Sequence, residues 1–339
     1  VDSAIETPAE FMPNVLSGNI EAHIRFLASD YLQGRDVGTD GYEIAANYVA
    51  AQMQLLGLEP AGDNGGYYAE VPLQDVRADL DSAYLAIDGI EAEIGRQALI
   101  GSNPAVLESE VTAPLVFVGY GVSAPNRDHD DYADIDAAGK IVVVMNGVPD
   151  GFPTEERAHH ISGRTKLEVA AAHGAVGMIS LTAWTEEQVA GFAGNYFSLP
   201  AVQLTTATGP SGYAAVTVSA SVTADLGASL FDDAPMSLAD VQAAMSAEDG
   251  ASFPTFDLPH TVTMRQRTIS EPFTAPNVVG MLRGNDPALA DEVVVLTAHL
   301  DHIGSIHDAM RGRGACRSSD DADQICNGAA FGSVRGAGR

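Results

Sequence analysis

The fold is decided by one segment, Glu292-Val293-Val294-Val295-Leu296-Thr297-Ala298-His299-Leu300-Asp301-His302-Ile303-Gly304. Its first seven residues are mostly apolar, which is typical of a central strand that is covered on both faces of a sheet. Polar side chains follow where this strand would leave the sheet at its carboxyl end, the edge at which open α/β sheets bind ligands. The segment therefore predicts an α/β fold with a site close to residues 299–302.

Two residues of this segment carry the candidate chemistry, His299 and Asp301. A neutral imidazole nitrogen is a good zinc ligand. In an extended chain the carboxylate two residues further on lies on the same side, where it could orient the imidazole. On spacing alone, two ordinary polar residues at a strand end are the simpler interpretation.

The flanking sequence predicts alternating helices and short strands. Apolar residues at helical spacing predict helices over 19–28 and 42–56, the second ending at Gly57, and a loop rich in turn formers lies between them. Further helices are predicted over 165–173 and after the candidate cap Ser237. Apolar or alternating runs predict strands over 115–122, 140–145, 176–181, 199–204, 260–265, 277–282 and 292–298.

Four stretches, in this order along the chain, resemble one known family. They are Ile24–Asp30 with the loop and helix through Leu58, then 117–144 (Phe117-Val118-Gly119-Tyr120-Gly121, Asp130-Asp131-Tyr132 and Gly139–Val144), then Pro276–Gly280, and finally Thr297–Gly304. Together they resemble the co-catalytic zinc aminopeptidases, a family that also includes glutamate carboxypeptidase and the non-enzymatic transferrin receptor. The second stretch is similar to the protease-associated domain that is inserted in many members.

The resemblance implies an architecture and an activity. It implies a zinc-peptidase α/β sheet domain, formed by residues 1–110 and 236–339 and interrupted by a β-rich protease-associated domain at 111–235. It also implies a zinc-dependent exopeptidase, most simply an aminopeptidase acting on peptide substrates through metal-activated water. His299 would bind one of two zinc ions and Asp301 would be the orienting acid of the catalytic site.

The family's next motif reads Asn-Gly-Ala, a variable residue, and an Asp that bridges both metals. Here Asn327-Gly328-Ala329 and Ala330 are followed by Phe331 at the bridging position, and neither a carboxylate nor a histidine follows. We therefore expect a peptidase domain that is truncated after its first metal motif and a chain that is inactive by itself. Asp320, Asp321 and Asp323 could be offered as substitute ligands, but a solvated acidic turn is the simpler interpretation.

Other histidines offer weaker candidates. His159 and His160 are adjacent, and neighbours on a strand point to opposite faces, so joint ligation requires a loop. His302 and His307 flank the metal motif, and surface histidines explain both.

The net charge restricts the partners. Asp and Glu total 46 against 17 Lys and Arg, which gives a formal net charge of -29. Such a surface repels a phosphate backbone, so no nucleic acid is expected as a partner. No apolar stretch approaches the roughly 20 residues of a membrane-spanning helix, so no membrane span is expected.

The two cysteines, Cys316 and Cys326, bear on localisation. A local disulfide that closes a short loop is the favoured interpretation, and it would place the chain outside the cytoplasm, in a secreted or periplasmic setting. Two free thiols are the alternative. No signal peptide is visible at the first residues, and a mature chain would look the same.

A non-catalytic binding protein on the same scaffold, using the protease-associated domain, is the alternative function. The sequence predicts neither the oligomeric state nor the substrate side chain.

Overall fold

The computed structural model describes residues 16–195, 200–205, 211–245 and 254–304. Its helices are α1 (Ser17–Leu27), α2 (Asp40–Leu55), α3 (Thr154–Ile161), α4 (Gly163–Ala172), α5 (Glu186–Asn195), α6 (Ala224–Ser229) and α7 (Leu238–Met245). No helix within these ranges is both long and apolar enough to cross a bilayer.

The strands are short, with three exceptions. The long ones are β2 (Tyr68–Ala78), β6 (Glu108–Val118) and the 24-residue β13 (Thr255–Val278). The others are β1 (Glu59–Pro60), β3 (Tyr84–Ile87), β4 (Ile90–Glu91), β5 (Ala98–Ile100), β7 (Ser123–Ala124), β8 (His129–Asp130), β9 (Ile141–Met145), β10 (Gly177–Leu181), β11 (Ala201–Leu204), β12 (Val218–Val222) and β14 (Gly280–Met281).

One mixed sheet organises the molecule, in the strand order β11-β2-β13-β6-β9-β10-β12-β5. Strands β6, β9, β10 and β12 are parallel to one another, and the outer pairings are antiparallel. With helices packed on this sheet, the predicted mixed α/β class is confirmed.

The parallel centre is buried on both faces, as its apolar runs predict. In β9, Ile141 and Val143 lie in one hydrophobic cluster, while Val142 and Val144 lie in another on the opposite face. Successive side chains of a strand point to opposite faces, so a continuous apolar run is required where both faces are covered.

The larger cluster reaches beyond the predicted limits of the inserted domain at 111 and 235. Leu85 and Ile100 precede the first limit, and Val241 and Met264 follow the second, yet all four lie in the same buried cluster as Phe117 of β6. The hydrophobic core around the parallel strands therefore draws on residues 85–264.

Strand β13 joins two parts of the sheet. Its first half pairs with β6 and β3, and its second half, from Thr268 to Val278, pairs with β2. A register shift between Leu258 and Thr261 accommodates Pro259 in a bulge, where a missing N–H is tolerated. The sequence predicts a strand only over 260–265 here, and the structure extends that strand from Thr255 to Val278. The predicted strand over 277–282 covers the last two residues of β13 and then β14.

The second half of β13 supports helix α2. Tyr42 and Ala46 of α2 pack with Leu73 of β2 and Ala275 of β13 in a small buried cluster. Gly57 ends the helical segment in the left-handed region (φ 77°), as predicted, and the Leu58 N–H bonds to the Met53 carbonyl at 3.0 Å.

Candidate functional site

The predicted strand over 292–298 is not formed, which corrects the first expectation. The segment has no strand assignment, and its apolar side chains are exposed, with Leu296 at 93%. A strand needs a neighbour to complete its backbone hydrogen bonds, and none of the described strands pairs with these residues. The motif at 299–304 therefore follows an unpaired segment rather than the edge of a sheet.

His299 makes a defined contact with Asp301. The His299 Nδ1 atom lies 2.9 Å from the backbone oxygen of Asp301 and 3.6 Å from its carboxylate Oδ1. A carbonyl oxygen only accepts, so Nδ1 donates to it, and the neutral ring then presents an unprotonated Nε2. The nearer orienting group is thus the main chain of Asp301 rather than its side chain.

Both site residues face solvent, with side chains 79% and 53% exposed for His299 and Asp301. Leu300 between them is half-buried and packs against the cluster of Tyr42, Leu73 and Ala275. This apolar contact anchors the middle of the motif while the residues on either side remain accessible.

A loop from the N-terminal part holds the same segment by hydrogen bonds. The Arg35 Nε atom donates to the Leu300 carbonyl at 2.9 Å, and Nη1 donates to the Leu27 carbonyl at the end of α1. In return, the His302 N–H donates to the Arg35 carbonyl at 3.1 Å, and the Gly304 N–H donates to the Gly34 carbonyl at 3.3 Å. Residues separated by about 265 positions in sequence are therefore joined at the site.

The Asp301 carboxylate affects the pKa of Tyr42. Burial raises the pKa of the Tyr42 phenol, and the Asp301 carboxylate raises it further. The hydroxyl donates to the Pro276 carbonyl at 2.8 Å, so the protonated form is the one that the structure uses.

The donor set is short of a catalytic zinc site. Within the described ranges, no group of three or more His, Cys, Asp or Glu side chains is placed to hold a metal. A catalytic zinc ion takes about three protein ligands and a water. His299 and Asp301 by themselves therefore do not form a catalytic zinc site.

Several predicted candidates lie outside the described residues. They are His307, Cys316, Asp320, Asp321, Asp323, Cys326, Asn327, Gly328, Ala329, Ala330 and Phe331. His302, which is described, is exposed and contributes its backbone N–H to the Arg35 loop.

The adjacent histidines His159 and His160 lie on helix α3. Their ring centroids are 4.9 Å apart, and His160 also packs edge-on against Phe152. Burial lowers the pKa of His160, and the neighbouring His159 lowers it further. Both effects favour the neutral ring in a packing role.

A second polar centre lies between β6, β9 and α4. The ammonium of Lys166 is buried and donates to the carbonyls of Tyr120 and Gly147, the latter at 2.8 Å. Burial lowers the pKa of Lys166 to about 8, and the nearby Asp131 carboxylate opposes this fall. Asp131 itself is buried and accepts from the Val122 N–H at 2.9 Å.

Sequence reasoning assigned no role to Arg35 or Lys166. One signal was available for each. Arg35 is the only arginine in the glycine-rich loop between the first two helices, and Lys166 is one of only two lysines in a chain of 339 residues.

Comparison with known proteins identifies one domain. The PA domain model matches residues 111–211, so the predicted protease-associated domain is confirmed. Among solved structures, the chain is similar to an aminopeptidase from Aneurinibacillus sp. strain AM-1, at 18% identity and a TM-score of 0.38, covering 80% of this chain and 49% of that one. It is also similar to BSAP, a zinc aminopeptidase from Bacillus subtilis, at 16% identity and a TM-score of 0.30, covering 78% and 46%.

The chain thus spans about half the length of these two enzymes. No curated protein sequence matches it.

Proposed function

We propose that this chain, with its PA domain, belongs to a zinc-dependent exopeptidase, most simply an aminopeptidase that removes N-terminal residues from peptides. One observation carries the proposal. Two segments that resemble the peptidase family, the loop at Gly34 and Arg35 and the motif at His299–Gly304, lie on either side of the PA domain in sequence and are hydrogen-bonded in space.

The roles follow from the contacts of the motif. His299 is the metal ligand, through Nε2, because Nδ1 is engaged by the Asp301 carbonyl. Asp301 belongs to the catalytic site as the acid beside that imidazole, at 3.6 Å. Only in a complete ligand set would zinc supply an activated water for hydrolysis.

Zinc titration of residues 1–339 tests the ligand assignment. We expect weak binding, because the described donors are one imidazole and one carboxylate. His299→Ala should abolish this binding, whereas His302→Ala, three residues away and also exposed, should leave it unchanged. Tight stoichiometric binding would contradict the incomplete ligand set, and equal effects of the two variants would contradict the role of His299.

A peptidase assay on a longer protein that contains this chain tests the activity. We expect release of amino acids from aminoacyl 4-nitroanilides, loss of that release with 1,10-phenanthroline and recovery with added zinc. An acetyl group on the N-terminus should block the reaction. Chelator-insensitive hydrolysis, or equal cleavage of the blocked substrate, would refute the aminopeptidase assignment. Residues 1–339 alone should show no turnover.

We further propose a secreted or periplasmic location. The support is the predicted disulfide between Cys316 and Cys326, together with the match to the PA domain. Peptide mapping of the protein purified without reductant should recover the two cysteines in one cross-linked peptide. Two separately alkylated thiols would count against this location.

A binding function is the second candidate, and one contrast favours it. The PA region has a hydrophobic cluster on each face of its sheet, whereas the described metal donors are incomplete. A peptide-binding protein would retain peptide affinity in the His299→Ala variant and show no chelator effect. A peptidase would lose turnover both in the His299→Ala variant and on addition of the chelator.

A further inference from the structure

We propose that Arg35 is a positioning residue for His299 and Asp301, an inference that rests on the proposed function. Its guanidinium donates through Nε to the carbonyl of Leu300, the residue that separates the two site residues. Fixing this carbonyl sets the peptide planes on which both side chains are mounted. Arg35 reaches neither the imidazole nor the carboxylate, so it acts through the backbone.

The guanidinium also joins the site to the end of helix α1. Its Nη1 atom donates to the Leu27 carbonyl in the last turn of α1, where carbonyls have no partner within the helix. One planar, charged group therefore bridges the end of a helix and the middle of the motif. A planar fork with several N–H groups suits this double contact better than a single ammonium does.

The loop backbone is shaped to hold the motif from a second side. Gln33, Gly34 and Arg35 all have positive φ, at 48°, 78° and 50°. Non-glycine residues persist in this region where surrounding contacts hold them. This backbone conformation directs two loop carbonyls toward the motif. The Gly34 carbonyl accepts from the Gly304 N–H at 3.3 Å, and the Arg35 carbonyl accepts from the His302 N–H at 3.1 Å.

Close packing leaves no space for adjustment at this contact. A Cβ atom at Gly34 would lie 2.7 Å from the Gly304 backbone oxygen. In contrast, residues 291–299 are exposed along their whole length. The order of His299 and Asp301 therefore depends on the contacts at Leu300, His302 and Gly304.

Residue-resolved amide exchange in residues 1–339 tests the proposal, without zinc. In Arg35→Ala we expect the His302 and Gly304 amides to exchange roughly tenfold faster, as for loss of a charge-assisted hydrogen bond. Arg35→Lys should recover part of the protection. Arg25→Ala is the matched control, because Arg25 lies on the same helix-loop unit and pairs only across the surface with Glu21 at 2.6 Å.

A spectroscopic readout separates positioning from general stability. The imidazole ¹⁵N resonances of His299, assigned with His299→Gln, should report a protonated Nδ1 in the wild type and mixed tautomers in Arg35→Ala. Gly34→Ala provides a second, local variant if Arg35→Ala does not fold, and the Val143 amide in β9 monitors global opening.

Unchanged exchange at His302 and Gly304, or faster exchange with an unchanged His299 spectrum, would overturn the proposal. An equal rise in exchange at Val143 would also overturn it, because Arg35 would then stabilise the whole fold. Since neither readout uses zinc, a failed metal assignment for His299 would be recognised separately, in the zinc titration.

Discussion

Replacing Lys166 by methionine tests how the PA region accommodates a buried charge. Lys166 is 3% exposed, and its ammonium donates to the backbone carbonyls of Tyr120, Met145 and Gly147. Burial disfavours the charged form, and the Asp131 carboxylate compensates only in part, so the pKa falls from 10.5 to about 8. Methionine fills a similar volume and carries no titrating group.

The sign of the pH effect follows from proton binding. Because the pKa of Lys166 is lower in the folded chain, the unfolded chain binds more protons between about pH 8 and pH 10.5. The free energy of unfolding therefore rises with pH in this window. The full effect is about 3 kcal/mol, at roughly 1.4 kcal/mol for each tenfold change in proton affinity. About 2 kcal/mol of it should be gained between pH 7.5 and pH 9.5.

Urea denaturation of the wild type and Lys166→Met at a series of pH values isolates this contribution, since other titrating groups cancel in the difference. We expect the wild type to gain about 2 kcal/mol relative to the variant from pH 7.5 to pH 9.5. A difference that stays constant with pH would refute the argument, because it would mean that burial leaves the lysine pKa unaltered.

A direct measurement is available because the chain has only two lysines, Lys140 and Lys166. Selective ¹⁵N labelling of lysine should give two side-chain signals, which Lys140→Met assigns. The Lys166 signal should titrate with a midpoint near 8.

Two further substitutions test close packing and a buried acceptor. Gly41→Ala should lower the free energy of unfolding by about 2 kcal/mol, because a Cβ atom there would lie 2.0 Å from the Leu32 carbonyl oxygen. Gly18→Ala is the control, since a Cβ atom at Gly18 on α1 would meet open space, and it should raise the free energy of unfolding by up to about 1 kcal/mol. Similar thermal shifts for both glycine variants would contradict this reading. Asp131→Ala should cost about 2 kcal/mol in urea denaturation, because it leaves the buried Val122 N–H without its acceptor, while the exposed Asp134→Ala should change little.

The sequence predicts the parallel strands well because their pattern is local. In β9 and β10, apolar residues on both faces leave few alternatives to a covered strand. The run at 292–298 has the same pattern and fails, since pairing depends on a neighbour and not on the strand itself. Strand β13 is the opposite case, a strand that is longer than the sequence predicts. Pro259 in the bulge and Pro272 on the half paired with β2 are residues that usually interrupt strands, so the local pattern does not indicate one continuous strand.

In the candidate site, too, local features are predicted from the sequence and long-range contacts are not. His299 and Asp301 are recognised from their local motif, and their catalytic roles stay predictions. The Arg35–Leu300 hydrogen bond spans 265 residues, and no periodicity or spacing encodes such a contact. The predicted domain limits at 110 and 235 also stay predictions. The buried cluster that Leu85 and Val241 share with Phe117 depends on tertiary structure, which the local patterns do not contain.

The pairing of Ala78 with Thr268 has a consequence for protein engineering and for evolution. These residues are opposite each other on antiparallel strands, so their Cα atoms are about 5 Å apart. A two-residue Asn-Gly turn could close that gap if everything between them were deleted. Deletion of residues 79–267 would thus leave the pairing of β2 with the second half of β13 in register, while it would remove β11 from the other edge of β2.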